Sequence, residues 1–307
     1  MSKVRSTHRR KSSPSRIAFV VFNTVVMIAF SAVCLAPFIN LLAISLSDSL
    51  PAVSGQVGFF PLNSEGKLGI NLDAYKYLVQ KSDFFKAFGI SVARVVLGVL
   101  ISVTVQMLAA YPMARGDQFK GRKFFVVFYT VTMFFSGGLI PTYLVITGLG
   151  LYDNILALIL PTAANAWNMV LFINFFKQIP KDLEEYAYLE GMNPFATLIK
   201  IVLPLSLPVI ATVVLFTAVA HWNSWFDGFI YMEKEHYPLQ TYIYNMIDEF
   251  TTLSKSDDPA MQELVKNLPG KTLRSAQIFV AMLPIMCVYP FVQKFFIKGL
   301  TLGAVKE

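Results

Sequence analysis

Along the chain the apolar positions gather into long uncharged runs rather than into short amphipathic repeats. Six stretches lack Asp, Glu, Lys and Arg altogether: 17–47, 95–114, 124–152, 154–176, 201–226 and 275–293. Each meets or nearly meets the ~20 apolar residues needed to cross a bilayer. The pattern predicts an all-α, polytopic membrane protein with six transmembrane helices. The first run is too long, and its flank too poor in small residues, for a cleaved signal peptide, so it is read as a retained helix. The polar segments between the runs contain two long excursions, 48–85 and 229–273, and one medium loop, 177–204. Within the excursions, Gly, Pro and Asn clusters mark turns before a short helix at about 73–85, YPLQTYIYNMIDEF reads as a helix, and DDPAMQELVKNLPG as a surface segment.

Lys and Arg orient this pattern. Six lie in 1–16, four in 114–123, and three in each of 177–200 and 294–307, whereas 48–85, 147–153 and 227–273 together hold seven. The positive-inside rule then places both termini and the 177–204 loop in the cytoplasm. The expected layout is a basic tail over 1–16 beside anionic headgroups, a six-helix domain over 17–299 with outer loops 48–85 and 229–273, and a short cytoplasmic tail over 300–307.

Composition agrees with a membrane setting. Hydrophobic residues make up 55% of the 307 and charged ones 15%, against about 25% charged in soluble domains. Cys34 and Cys287 both sit in apolar runs and encode neither a disulfide framework nor a zinc site. His8, His221 and His236 are scattered, so metal binding is not expected. The formal net charge of +7 comes from short clusters between apolar runs, a pattern that orients a membrane protein and does not form a nucleic-acid face.

The loop EYAYLEGMNPFATLIKIVLP at 185–204 carries the most local information. Pro180 suits the first turn of a helix, and Asp182, Glu184 and Glu185 follow at its positive end. Gly191 is suited to the left-handed turn past a helix end. Asn193-Pro194 then supplies an N-cap and a first-turn proline, so a second helix starts at once. Leu183, Tyr186, Ala187 and Glu190 lie on adjacent turns of the first helix, and Phe195, Leu198, Ile199 and Val202 on those of the second. The expected product is a cytoplasmic helix–turn–helix running straight into the fifth crossing at Leu203-Pro204, a lever that a soluble partner can grip. On spacing alone the same break also suits an ordinary connector.

The spacing Glu185-Tyr186-Ala187-x-x-x-Gly191, nine residues, then Ile201-x-Leu203-Pro204 resembles the EAA loop of binding-protein-dependent ABC importer permeases. Tyr186 stands where that signature more often has a second small residue. FFIKGLTLGAVKE at the end of the chain is similar to the closing signature of maltose-transporter-type sugar permeases. FSGGLIPTYLVITGLGLYDN at 135–154 resembles the branch associated with oligosaccharides and polysaccharide fragments. The resemblance implies a type I importer permease in a bacterial cell membrane, with Glu185, Ala187, Gly191, Asn193, Ile201, Leu203 and Pro204 in the ATPase-coupling loop. It also implies a second homologous permease subunit as heterodimer partner, two cytoplasmic ATPases, and an extracellular or periplasmic binding protein that delivers an oligosaccharide. The chain has no G-x-x-x-x-G-K-[ST] loop, so ATP and Mg are expected on the ATPase partners and no cofactor on this chain.

The expected sugar path is His221-Trp222-Asn223-Ser224-Trp225-Phe226-Asp227-Gly228. Trp222 and Trp225 share a helix face there, with Asn223 and Asp227 on a neighbouring polar one. Flat aromatic surfaces beside a few donors and acceptors suit a sugar, although two tryptophans at that depth also suit an interfacial belt. Arg94 lies about 12 Å along its helix from Lys86, where it either snorkels outward or lines a watery cavity. Ser136-Gly137-Gly138 and Pro141 are expected to let the third crossing pack and kink. A membrane-embedded enzyme acting on lipid-linked sugar is the alternative class, yet Asp48, Asp153 and Asp227, the acids bordering apolar runs, are isolated in sequence.

Overall fold

A computed structural model describes residues 14–80, 82–115, 119–254 and 270–303. The first thirteen residues of the basic tail, nearly all of the DDPAMQELVKNLPG segment and the last four residues lie outside them. Among the described residues the chain is helical, with one isolated bridge between Leu62 and Leu68 and no strand. It divides into two units, residues 1–76 with 269–279, and residues 77–268 with 280–307.

The first unit begins with α1 (Pro14–Ser45), a 32-residue helix that buries only Ala43 and Ser45. Its exposed surface is mostly apolar, as contact with lipid requires. The chain then turns through α2 (Ser49–Val53) into a lobe organised by Asp48. Asp48 Oδ2 accepts from the Ser64 amide at 2.7 Å and the Ser64 hydroxyl at 2.6 Å, and Oδ1 accepts from the Asn71 side chain at 2.6 Å. Those bonds pull the Asp48 carboxyl below its usual range, the Ser64 hydroxyl contributing most and Asn71 next. The Asn71 amide also bonds Leu46 O at 2.7 Å, which ties the lobe to the end of α1.

The short helix expected at about 73–85 is α3 (Asp73–Gln80), because the next helix starts at Ser82. That helix, α4 (Ser82–Ala114), runs 33 residues and begins thirteen positions before the uncharged run, so Lys86 and Arg94 both lie within it. It is the pillar of the second unit. Arg94, Gly98, Ser102, Gln106 and Ala110, each four apart, form one buried face. Gly98 permits the closest approach: a Cβ there would lie 2.5 Å from Nε2 of His221.

Three of the expected crossings are bent. α5 (Arg122–Phe134) and α6 (Leu139–Gly148) meet at 120°, so the run 124–152 is not a straight span. Gly138 at φ +83° turns the chain, and Pro141 in the first turn of α6 needs no N–H partner. α7 (Ile155–Ala163) and α8 (Ala166–Phe176) meet at 49° across Ala164-Asn165. α9 (Lys181–Leu189) precedes α10 (Pro194–Leu205), and α10 meets α11 (Leu207–Asn223) at 85°. The second helix of the 177–204 loop therefore does not run straight into the expected fifth crossing. It passes Leu203-Pro204 and turns at buried Ser206, where α11 restarts with Pro208 in its first turn.

α12 (Phe226–Tyr231), α13 (Leu239–Ser254) and α14 (Gly270–Gly303) complete the order. α13 matches the helix expected from YPLQTYIYNMIDEF, and its first amide bonds Ser91 Oγ on α4 at 2.8 Å. By length and apolarity α1 and α4 can each cross a membrane, and up to five spans result if each bent pair counts as one. The sixth run, 275–293, lies within the 34 residues of α14.

Candidate functional site

The 177–204 loop is built as two capped helices. Gly191 takes φ +75°. Its N–H bonds Tyr188 O at 3.0 Å and the Met192 N–H bonds Ala187 O at 2.9 Å, the double closure of a Schellman turn. Asn193 Oδ1 then accepts from the Ala196 amide at 2.8 Å, with Pro194 opening α10. Pro180 is the N-cap of α9 rather than part of its first turn. Leu198–Val202 form a π-turn inside α10, the irregularity that precedes the bend at Ser206.

One face of α9 is anchored and the other is bare. Ala187 is buried, and Glu184, also buried, forms an ion pair with Arg115 just past the end of α4. Glu185 is exposed and so free of that anchor. Opposite the anchor Tyr186 is 69% exposed, Leu189 84% and Phe195 60%. These leave three large apolar side chains bare on an otherwise polar loop. Asn193 and Pro204 are exposed, while Ile201 and Leu203 are half-buried and shape the run toward the bend.

A second site lies between α4, the α7–α8 break, α11 and the start of α12. It is a cavity of about 410 Å³. Arg94, 1% exposed, reaches Asp227 through both Nη atoms, with Nη1 also bonding Ser224 O at 3.2 Å. Asp227, isolated in sequence, thus meets Arg94 of α4, 133 positions away. Arg94 does not snorkel outward. It lines the cavity.

The α7–α8 break supplies much of the remaining wall. Asn165 caps α8 through Asn168 N at 3.0 Å, and Gln106 Nε2 satisfies Ala163 O at 2.9 Å, one of the carbonyls left free by the end of α7. Irregular backbone at membrane depth is tolerated where it lines a cavity. Asn168 Nδ2 faces Thr217 Oγ1 at 3.4 Å, and Trp167, 61% exposed, lies on the same wall.

Of the residues expected from sequence on the sugar path, Arg94, His221, Ser224 and Asp227 line this cavity, and Trp222, Asn223 and Trp225 do not. α11 ends at Asn223 and the chain is extended at Ser224, so Trp222 and Trp225 do not share a helix face, nor do Asn223 and Asp227. Trp222 is buried, donates Nε1–H to Ala281 O at 3.0 Å and packs edge-on against Phe88. Trp225 stacks on Tyr244 with centroids 3.9 Å apart. Asn223 is exposed on an apolar groove beside Val92 and Pro284. Trp167, Asn168, Gln106 and Thr217 were not anticipated. Their signal, polar residues four apart on α4 and around Asn165, is visible in sequence only once the break is known.

A further pair joins two segments of this unit. Asp153, at φ +55°, bonds His236 Nδ1 at 2.8 Å and the Glu233 amide at 3.0 Å, joining the α6–α7 turn to the segment after α12. Among the described residues no group of three His, Cys, Asp or Glu is placed to hold a metal.

A family model for the binding-protein-dependent transport system inner membrane component matches residues 8–226. The chain is 38% identical, over 91% of its length and 95% of the relative's, to the polygalacturonan/rhamnogalacturonan transport system permease protein YtcP of Bacillus subtilis. It is 35% identical to Protein LplC of the same organism over the full length of both. Among solved structures it is similar to a chain of a bacterial ABC transporter involved in the import of the acidic polysaccharide alginate, with a TM-score of 0.81, 28% identity, and 94% of this chain and 99% of that one covered.

Proposed function

The chain belongs to the family of binding-protein-dependent transport system inner membrane components, and from that premise we propose that it is one of two permease subunits in an ATP-driven importer of oligosaccharides. A sugar cargo is supported by the names of the relatives, which transport polygalacturonan/rhamnogalacturonan and alginate. The observation that carries the coupling role is the bare Tyr186–Leu189–Phe195 face on a loop whose other face is locked to α4. In this reading two cytoplasmic ATPases, which use the ATP and Mg, grip that face, and their closure moves α9 and α10 against the bend at Ser206. α11 carries the motion to the cavity. Six crossings, both termini inside and a heterodimer with a second permease complete the proposal. A binding protein delivers the sugar from outside.

The cavity bounded by Arg94, Gln106, Trp167, Asn168, Thr217 and Asp227 is this subunit's share of the sugar path. Trp167 gives a flat apolar surface and its neighbours give donors and acceptors, the mixture sugar recognition needs. The alternative of a membrane-embedded enzyme acting on lipid-linked sugar is disfavoured, because relatives covering nearly the whole chain are named for transport. Co-purification from native membranes tests the proposal. An ATPase and a second permease should accompany the tagged chain, whereas a chain that purifies alone and turns over a glycolipid would refute it.

A further inference from the structure

We propose that Asp227 sets the charge preference of the sugar path: by neutralising Arg94 it leaves this subunit reading sugar hydroxyls rather than sugar carboxylates. The inference rests on the cavity being the sugar path.

Arg94 is the wall's single Lys or Arg; both its Nη atoms are committed, and only Nε lacks a partner among the described residues. Both Nη atoms meet the Asp227 carboxylate, and the Ser224 and Leu158 carbonyls, at 3.2 and 3.5 Å, take further N–H groups. Asp227 is held in turn. Its Oδ1 accepts from Ser224 Oγ at 2.8 Å and from the Gly228 amide at 2.9 Å. A carboxylate held by these two donors as well as by Arg94 does not swing aside to free the guanidinium for an incoming acid. The fixed charges of the wall therefore cancel, since Arg94 and Asp227 are its only Lys, Arg, Asp or Glu.

What the wall does offer is neutral. Gln106 is wholly buried, its amide N–H is used on Ala163, and its Oε1 has no partner among the described residues. An unpaired buried acceptor costs about 1–3 kcal/mol until a donor arrives, and a hydroxyl is such a donor. Asn168, Thr217 and the Trp167 ring add contacts of the same neutral kind. Were Asp227 neutral, a buried guanidinium would face the path uncompensated, and in that low-dielectric setting it would attract a uronate strongly.

The test uses the assembled transporter and two probes, galactotriose and trigalacturonate, which differ in the oxidation state of C6. Binding is measured by titration without the binding protein. Asp227→Asn should raise the affinity for trigalacturonate relative to galactotriose by about tenfold or more, with the gain weakened by salt. The double variant Arg94→Gln/Asp227→Asn should return the ratio to the parental value. If Asp227→Asn does not assemble, Arg94→Gln leaves a bare carboxylate and should lower the same ratio by about tenfold. An unchanged ratio, or equal weakening of both sugars, makes the pair a packing strut and overturns the inference. Gln106→Leu, which touches no charge, separates the two levels. If it weakens galactotriose while the charge variants leave the ratio unmoved, the path stands and the inference falls; if neither Gln106→Leu nor the charge variants alter either sugar, the path reading falls and the inference with it.

Discussion

The ion pair between Glu184 and Arg115 is the tie whose loss should be felt most at the α9–α10 loop. The two side chains are 6% and 8% exposed, so replacing Glu184 by Gln leaves a guanidinium buried beside a neutral amide. Breaking a buried pair from one side costs about 3–5 kcal/mol. With both groups retaining a little water, the lower end applies. About 3 kcal/mol corresponds to roughly a hundredfold increase in the population with α9 detached from α4. Hydrogen exchange of the α9 amides in the assembled transporter reads this directly: Glu184→Gln or Arg115→Met should speed it by about a hundredfold. The double variant Glu184→Leu/Arg115→Met removes both charges and should restore most of the protection. Substrate-stimulated ATP hydrolysis should fall in the single variants and recover in the double. Exchange within about threefold of the parental rate in Glu184→Gln would refute the anchoring argument.

Three further outcomes follow from the same structure. Gly98→Ala drives a methyl into the His221 ring and should cost about 1–3 kcal/mol, seen as a lower midpoint in thermal unfolding. Trp222→Ala should reduce the amount of assembled transporter, since burial and a hydrogen bond are lost together at about 3–5 kcal/mol, whereas Trp167→Ala should spare assembly and slow uptake. The Asp48 carboxyl titrates lower in the fold than in the unfolded chain, so its contribution is complete above the unfolded value of about 3.9 and is lost as pH falls through the lower folded value. Exchange protection of the 62–71 lobe should hold from neutral pH to about 4 and drop only below it, and Asp48→Asn should abolish that dependence.

How much of this was legible in the sequence differs by element. The capped turn at Gly191-Met192-Asn193-Pro194 could be read residue by residue, because its determinants are local: a left-handed glycine, an Asn cap and a first-turn proline. The 85° bend at Ser206 could not. Pro204 and Pro208 both fit inside a continuous apolar run, and only the packing of α10 and α11 decides that the axis turns between them. The same limit hid the α7–α8 break at Asn165, and with it Trp167 and Asn168. Asp227 reads in sequence only as an isolated acid bordering an apolar run, because its partner lies 133 positions away. The tryptophans misled for the opposite reason. Helical spacing was extended from Trp222 to Trp225 across Ser224, where the helix has already ended.

The central claim is that the α9–α10 loop lies inside the cell and is gripped by an ATPase. Leu189, 84% exposed at the end of α9, is the position that reports on it. With Cys34 and Cys287, both exposed and unpaired, replaced by Ser, Leu189→Cys can be treated with a short bifunctional thiol reagent in inside-out membrane vesicles. The account predicts a cross-linked product containing this chain and an ATPase, altered in yield by nucleotide, and no reaction with an impermeant thiol reagent applied to intact cells. Labelling of Leu189→Cys from outside, with no ATPase cross-link in the vesicles, would contradict it.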